Sequence, residues 1–218
     1  MSARQPASRT RVRRLPEKQS GDRATVDRLL DTALVAHVAV VDDEQPYVVP
    51  VAFARDGDRL LIHGSNASRL FRALAEGAPT CVTVTVVDGV VVARSAFESS
   101  MHYRSAMVLG TCTELEGDEK VVALLRLTDR LLPGRAAEAR PASAKELAAT
   151  KVLALPLDEW SLKVSDGAPD DAADDLDLPV WAGVVPIEHR FGEPVAAPDL
   201  RFEVPVPDYV RAWPDGRC

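Results

Sequence analysis

Leu34-Val-Ala-His-Val-Ala-Val-Val41, Asp42-Asp-Glu-Gln45, Pro46-Tyr-Val-Val-Pro-Val-Ala-Phe53, Arg59-Leu-Leu-Ile-His63 and Gly64-Ser-Asn-Ala-Ser-Arg69 follow one another with a single short turn between them. Runs of Val, Ile and aromatic residues split by acidic turns predict three strands in a meander. The last block predicts a loop that opens a helix. Gly64 lets backbone approach a ligand, Ser65 and Ser68 offer hydroxyls, and Arg69 offers a planar charged fork. A helix start adds free N–H groups, so an anionic ligand is expected here. The bland alternative is that Ser65 or Asn66 only caps the helix while Arg69 is solvated.

Working outward, Ser20-Gly21-Asp22 predicts the cap of a helix carrying Val26, Leu29, Leu30 and Ala33 on one face. Ala67 to Glu76 places Leu70, Phe71 and Leu74 together, and Gly77 with Pro79 ends that helix. Thr80 to Val87 and Val90 to Arg94 flank Asp88-Gly89, the pattern of a tight hairpin. A long strand is expected over Arg104 to Glu114. Asp118 to Leu132 reads as a helix buried through Val121, Leu124, Leu125, Thr128 and Leu131. Ser143-Ala-Lys-Glu146 is a capping box, and Lys151 to Leu157 and Glu159 to Ser165 are closing strands. Val180 to Val185 returns to strand character. The fold class expected is mainly β with flanking helices, an antiparallel, closed or partly closed barrel.

The 218 residues carry a net charge of -7, and 46% are hydrophobic, enough for a real core in one domain. That charge argues against a general nucleic-acid or anionic-membrane surface. No run reaches the length of a membrane span, and cytoplasmic residence is expected. Cys81, Cys112 and Cys218 are scattered, with no CxxC pair, as in a reducing compartment. Residues 1–14 form a basic, solvated arm, 15–192 the folded domain, and 193–218 a proline-rich tail. Six aspartates between Ser165 and Pro179 read as a solvated loop rather than a cation site, lacking the glycine and terminal glutamate of a calcium-binding loop. The four histidines have no metal-ligand spacing, so no metal site is expected, and no hydrolase elbow or nucleotide-triphosphate loop occurs.

The order of elements, with Gln45-Pro-Tyr-Val-Val-Pro50 before the loop and Met101-His-Tyr-Arg-Ser-Ala-Met-Val-Leu-Gly110 after it, resembles the flavin-binding split-barrel proteins related to pyridoxamine phosphate oxidase. Within them it looks most like the nitroimidazole-resistance branch, over roughly residues 15–190. The resemblance implies a homodimer holding FMN at its interface. Ser65, Asn66, Ser68 and Arg69, with Arg104 as a second clamp, would take the phosphate. Val48, Val49, Pro50 and Val51 would hold the ring, beside Ile62, His63 and Gly64. Tyr103 and Ser105 would approach the cofactor, and Trp181 would be a lid reaching the partner's site. His63 and Tyr103 are the residues expected to hydrogen-bond an acceptor. Each also has an ordinary reading: a structural histidine, a turn tyrosine, a buried interface tryptophan.

Ala52-Phe-Ala54 stands where a vitamin B6 oxidase carries basic residues, and His189-Arg190 is reversed from its order, which argues against that substrate. The implied activity is an FMN-dependent oxidoreductase passing electrons from NAD(P)H to a small acceptor, a nitroaromatic or a quinone. The alternatives are a non-enzymatic flavin store or sensor, an F420 protein, and a haem-binding split barrel.

Overall fold

The computed structural model describes residues 9–212. Within them ten strands form one antiparallel sheet: β1 (Gln19–Ser20), β2 (Val35–Asp42), β3 (Gln45–Asp56), β4 (Arg59–Ser65), β5 (Pro79–Val92), β6 (Ser100–Thr111), β7 (Thr113–Glu114), β8 (Thr150–Pro156), β9 (Glu159–Ser165) and β10 (Gly183–Pro186). Their order is β1-β9-β6-β5-β2-β3-β4-β8-β7, with β10 added along β5. Six helices accompany them among the described residues: α1 (Arg23–Thr32), α2 (Arg69–Ala75), α3 (Gly117–Leu131), α4 (Arg135–Glu138), α5 (Ala144–Ala149) and α6 (Asp208–Arg211). The sheet curls until β6 meets β8, where a Cβ on Gly110 would lie 2.9 Å from Leu155 Cδ1. This is the split barrel.

Its interior is filled by alternate residues of the meander. Ala36, Val38 and Val40 of β2, Phe53 of β3 and Leu60 and Ile62 of β4 join Val82, Val84, Ala106, Val108, Leu153, Leu155 and Leu162 in one core. Helix α1 adds Val26, Leu29 and Leu30, all fully buried, and is capped as expected by Asp22, whose Oδ1 accepts from Ala24 N at 3.1 Å. Helix α2 adds Leu70, Phe71 and Leu74. A second core lies on the outer side of the sheet, where Ala54, Leu61, Val152 and Ala154 meet Ala123 and Leu127 of α3.

Three sequence expectations change. Asp88-Gly89 does not turn the chain: β5 runs through it for 14 residues, with an irregularity in register between Val87 and Gly89. The turn signal is overridden because β10 lies against this point; a Cβ on Gly89 would meet Val184 Cγ1 and Val185 O at 3.1 Å. Helix α3 is rotated from the expected face, burying Ala123 and Leu127 and leaving Val121, Val122 and Leu125 exposed. Small Ala123 lets the helix sit close to the sheet. Finally, the basic arm from Arg9 onward is anchored through two residues while Arg9, Arg11, Arg13 and Arg14 stay exposed: Thr10 is buried, its carbonyl accepts from Gln19 Nε2 at 3.1 Å, and Val12 N donates to Gln19 Oε1 at 2.9 Å. Residues 1–8, the rest of that arm, and 213–218, including Cys218, lie outside the described residues.

The aspartate-rich loop is also anchored. Asp171, with its side chain 2% exposed, accepts from Arg94 N at 2.6 Å and from Arg94 Nη1 at 2.7 Å. The capping box at Ser143 and Glu146 is complete. Arg140 and the two Ser143 donors hold the Glu146 carboxylate far below the usual carboxylate range. Among the described residues no helix is long and apolar enough to cross a membrane.

Candidate functional site

Strands β3 and β4 pair only from Phe53↔Ile62 to Asp56↔Arg59. Beyond that point they part, and residues 46–52 of β3 are bonded on one side alone, to β2. Pro46 and Pro50 have no N–H to give a ladder, so their parity must face away from β2. The same parity turns the amides of Val48 and Ala52 to the open edge, an array of backbone donors and acceptors that a planar ligand with a carbonyl edge can use.

Side chains alternate across this edge. Tyr47 and Val51 pack toward the barrel interior, while Val48, Pro50 and Ala52 face outward. On β4, Leu60 and Ile62 enter the main core and Leu61 the outer one. His63 shares the side of Leu61, so it emerges on the same outer face as Pro50 and Ala52, just past the cover that α3 gives Ala54 and Leu61. Its Nδ1 is buried with no hydrogen-bond partner. Desolvation lowers the His63 pKa, favouring neutral imidazole.

The loop after β4 is tied down through backbone bonds: Asn66 N to Ala149 O at 3.0 Å and Ser68 N to Ser65 O at 2.9 Å. Ser65 Oγ accepts from Ala67 N at 3.2 Å, and the Asn66 side chain donates to Ala148 O. Ser68 stands at the N-cap of α2 without using its hydroxyl as a cap. Arg69 reaches across to the β2–β3 hairpin, with Nε 3.5 Å from Asp42 Oδ2 and its guanidinium 4.6 Å above the Tyr47 ring. That pairing is long and half-exposed, so the fork keeps donors for an anion. Neither Asp42 nor Tyr47 was readable as an Arg69 partner from the sequence, because nothing local relates positions 42, 47 and 69.

Several expected site residues have other employment. Ile62 is 1% exposed inside the main core, so its side chain is closed to a ligand. Gly64 is small because of packing: a Cβ there would lie 2.2 Å from Phe71 Cε2. Arg104 is not a free phosphate clamp; it is bidentate to Asp88 at 2.9 and 2.7 Å. Ser105 Oγ is 2.8 Å from Thr85 Oγ1. Within one chain the expected residues form two groups. Val48, Val49, Pro50, Val51, His63, Ser65, Ser68 and Arg69 border the parting of β3 and β4, with Val48, Pro50 and His63 on its outer side and Val51 and the Arg69–Tyr47 pair on its inner side. Tyr103, Arg104 and Ser105 lie on β6, separated from β3 by β5 and β2. Trp181 is exposed just before β10, and its indole lies over Gly183, where a Cβ would come within 2.8 Å of the ring. Among the described residues, no group of three or more His, Cys, Asp or Glu side chains could hold a metal ion.

A curled antiparallel sheet that parts between β3 and β4 defines a split-barrel protein. Residues 22–164 match the family described as pyridoxamine 5'-phosphate oxidase, and the chain belongs to that family. Among solved structures, an FAD and haem binding protein from Mycobacterium smegmatis is 53% identical, with a TM-score of 0.87 over 89% of this chain and 96% of that one. The flavocytochrome Anf3 from Azotobacter vinelandii is 39% identical, with a TM-score of 0.89 over 94% of this chain and 96% of that one. A protein assigned to 5-nitroimidazole antibiotic resistance in Bacteroides thetaiotaomicron is 24% identical, with a TM-score of 0.58 over 67% of this chain and 86% of that one, and shares the fold. No curated protein sequence matches this chain.

Proposed function

We propose that this chain is a flavin- and haem-binding oxidoreductase that acts as a homodimer. The observation that carries the reading is near full-length similarity, at 53% and 39% identity, to a protein named for binding FAD and haem and to a flavocytochrome. These relatives turn the preference from FMN, the first expectation, toward FAD; both flavins share the ring and its first phosphate, so the same residues serve either.

The fit rests on this chain's own geometry. The open β3 edge offers the amides of Val48 and Ala52 to a ring carbonyl edge, while Val48 and Pro50 give it an apolar face. Ser68 and Arg69 supply the phosphate end, and Asp42 and Tyr47 keep Arg69 extended toward it. A bound flavin would supply hydride acceptance and one-electron release, and a haem one-electron and oxygen chemistry. The protein orients these groups and excludes water. Electrons from NAD(P)H would leave to a small acceptor, a nitroaromatic or a quinone among the candidates.

The separation of the two residue groups supports reading the protein as a dimer. Tyr103 and Ser105 stand about three strand spacings from the β3 edge, roughly 14 Å along the sheet. A partner presenting β6 and Trp181 would bring both groups to one cofactor. Exposed Val35, Val41, Val48, Val90 and Met101 supply apolar surface for that contact.

The test is to heat the purified protein and identify the released chromophores by chromatography and mass, then to add NADPH or NADH anaerobically and follow flavin bleaching. FAD with haem, and bleaching within minutes, is the expected result. Absence of any flavin would overturn the reading, and bound flavin that no nicotinamide reduces would favour a non-enzymatic carrier.

A further inference from the structure

We propose that a cavity on the outer face of the sheet, beside the open β3 edge, is the binding site of the electron acceptor, and that this acceptor is a neutral, apolar molecule with a carbonyl oxygen, of the quinone class. The inference rests on the flavin-oxidoreductase reading above and assigns it a substrate site.

The cavity encloses about 390 Å³, inside the range of about 300–1,000 Å³ that small-molecule sites occupy. Its floor follows from strand register. Ala39 stands opposite Val48 on one side and Cys81 on the other, Cys81 opposite Leu109, and Leu109 opposite Glu159, so five side chains form one line across β3, β2, β5, β6 and β9. Their neighbours Val38, Val40, Val82 and Val108 fill the barrel interior, which turns this line outward. Ala39 and Cys81 are its short members. Between Val48 and Leu109 they leave a hollow, walled further by Val41 and Pro46.

That line begins at the flavin edge. Neighbouring strands lie about 4.8 Å apart, so Ala39 stands about 5 Å and Cys81 about 10 Å from Val48 along the sheet. A ligand on this floor is the neighbour of a ring resting on Val48. A quinone there takes two electrons and two protons from the dihydroflavin that NAD(P)H forms, leaving a hydroquinone and oxidised flavin. Val41 is also among the exposed residues offered to a second subunit, whose contact would cover a bound acceptor from water.

The far end of the line selects the ligand's charge. Arg9 lines the cavity there, and its Nε is ion-paired with Glu159. The arm that carries it is fixed by buried Thr10 and the two bonds to Gln19. One carboxylate already balances this cation. A second would leave net negative charge, whereas a carbonyl oxygen can accept from the guanidinium and add none. In the wall, Thr80 donates its hydroxyl to Ala39 O at 2.7 Å. A second cavity of about 570 Å³ differs, because Asp56, Arg59 and Glu119 in its lining bond one another, at 3.0 and 2.6 Å.

The test uses the full-length, flavin-loaded protein and 2,3-dimethyl-1,4-naphthoquinone, whose methyl groups block addition of thiols. Equilibrium dialysis should find one quinone per chain, and saturating quinone should slow alkylation of Cys81 by iodoacetamide at least tenfold by mass mapping. Cys81→Phe should fill the hollow and lower the affinity at least tenfold, with flavin content and melt unchanged. Arg9→Ala, at an exposed position that does not endanger folding, should lower quinone affinity at least threefold but leave binding of 2,3-dimethylnaphthalene, which has no carbonyl, at the wild-type level. Flavin-loaded wild type that takes up no quinone, or that binds it with Cys81 unprotected and Arg9→Ala without effect, overturns the site and leaves the flavin reading standing. Tighter binding of 1-naphthoate than of the quinone overturns the neutral-ligand assignment. Quinone bound over Cys81 in a chain that carries no flavin overturns the acceptor role together with the flavin reading.

Discussion

His63 is where local chemistry and global stability meet. Its folded pKa lies below the unfolded value of about 6.5, so the unfolded chain binds more protons below that pH. The stability associated with neutral His63 is therefore complete above about pH 6.5 and falls as acid drops through the window below it. Urea melts of the apoprotein between pH 7.5 and 5 should show this loss, and His63→Gln should flatten it. A variant with the same slope as wild type would move the proton uptake to another group. Cys112 behaves oppositely: burial raises its pKa to about 11, so its thiol resists alkylation at pH 8. Mapping by mass should find Cys112 modified only after denaturant is added.

Among the elements, the β4–α2 junction shows how a glycine can be misread. Gly64 looks like a ligand-approach residue in sequence, yet the Phe71 ring fills the space a Cβ would need. Gly64→Ala should destabilise by about 1–3 kcal/mol through overpacking, and Phe71→Leu in the same chain should recover part of that loss. An unchanged melting temperature for Gly64→Ala would return the glycine to the ligand. The Arg94–Asp171 clasp makes a second element-level prediction. Arg94→Ala leaves the buried Asp171 with one backbone donor, so protease cutting between residues 166 and 178 should speed up while the barrel strands stay protected. The same kind of tie explains Arg104, whose fork the sequence offered to phosphate but which Asp88 takes across the β5 irregularity.

At the scale of the whole molecule, the split divides labour. The interior faces of β2, β4, β5, β6, β8 and β9 make one core, and α3 seals a second. Among the described residues, exposed apolar side chains remain on β2 and on β3 before Phe53, at Val35, Val41 and Val48, and near the far ends of β5 and β6, at Val90 and Met101. Val48→Asp combined with Met101→Asp should convert the proposed dimer to monomer in light scattering at micromolar concentration and release flavin. Wild type that is monomeric by the same measurement would remove the cross-subunit site. Ser68→Ala with Arg69→Ala should weaken flavin retention at least tenfold without shifting the melt of the apoprotein, because two donors to one phosphate are lost together.

The meander from Leu34 to Ser65, helix α1 with its Asp22 cap, and the Ser143–Glu146 box were legible in the sequence, because each is set by residues within a few positions of one another. The start of α2 just after Ser68 was legible for the same reason. Tertiary structure decided the rest. Only the folded sheet shows that β3 leaves β4 after Phe53 and exposes an edge. The same folding brings β10 against Gly89 to cancel a hairpin signal, lets Asp88 claim Arg104, and rotates α3 onto Ala123. These outcomes depend on partners 16 to about 95 residues away in the chain, and no local pattern carries the energy of a contact that forms only when distant strands are packed side by side.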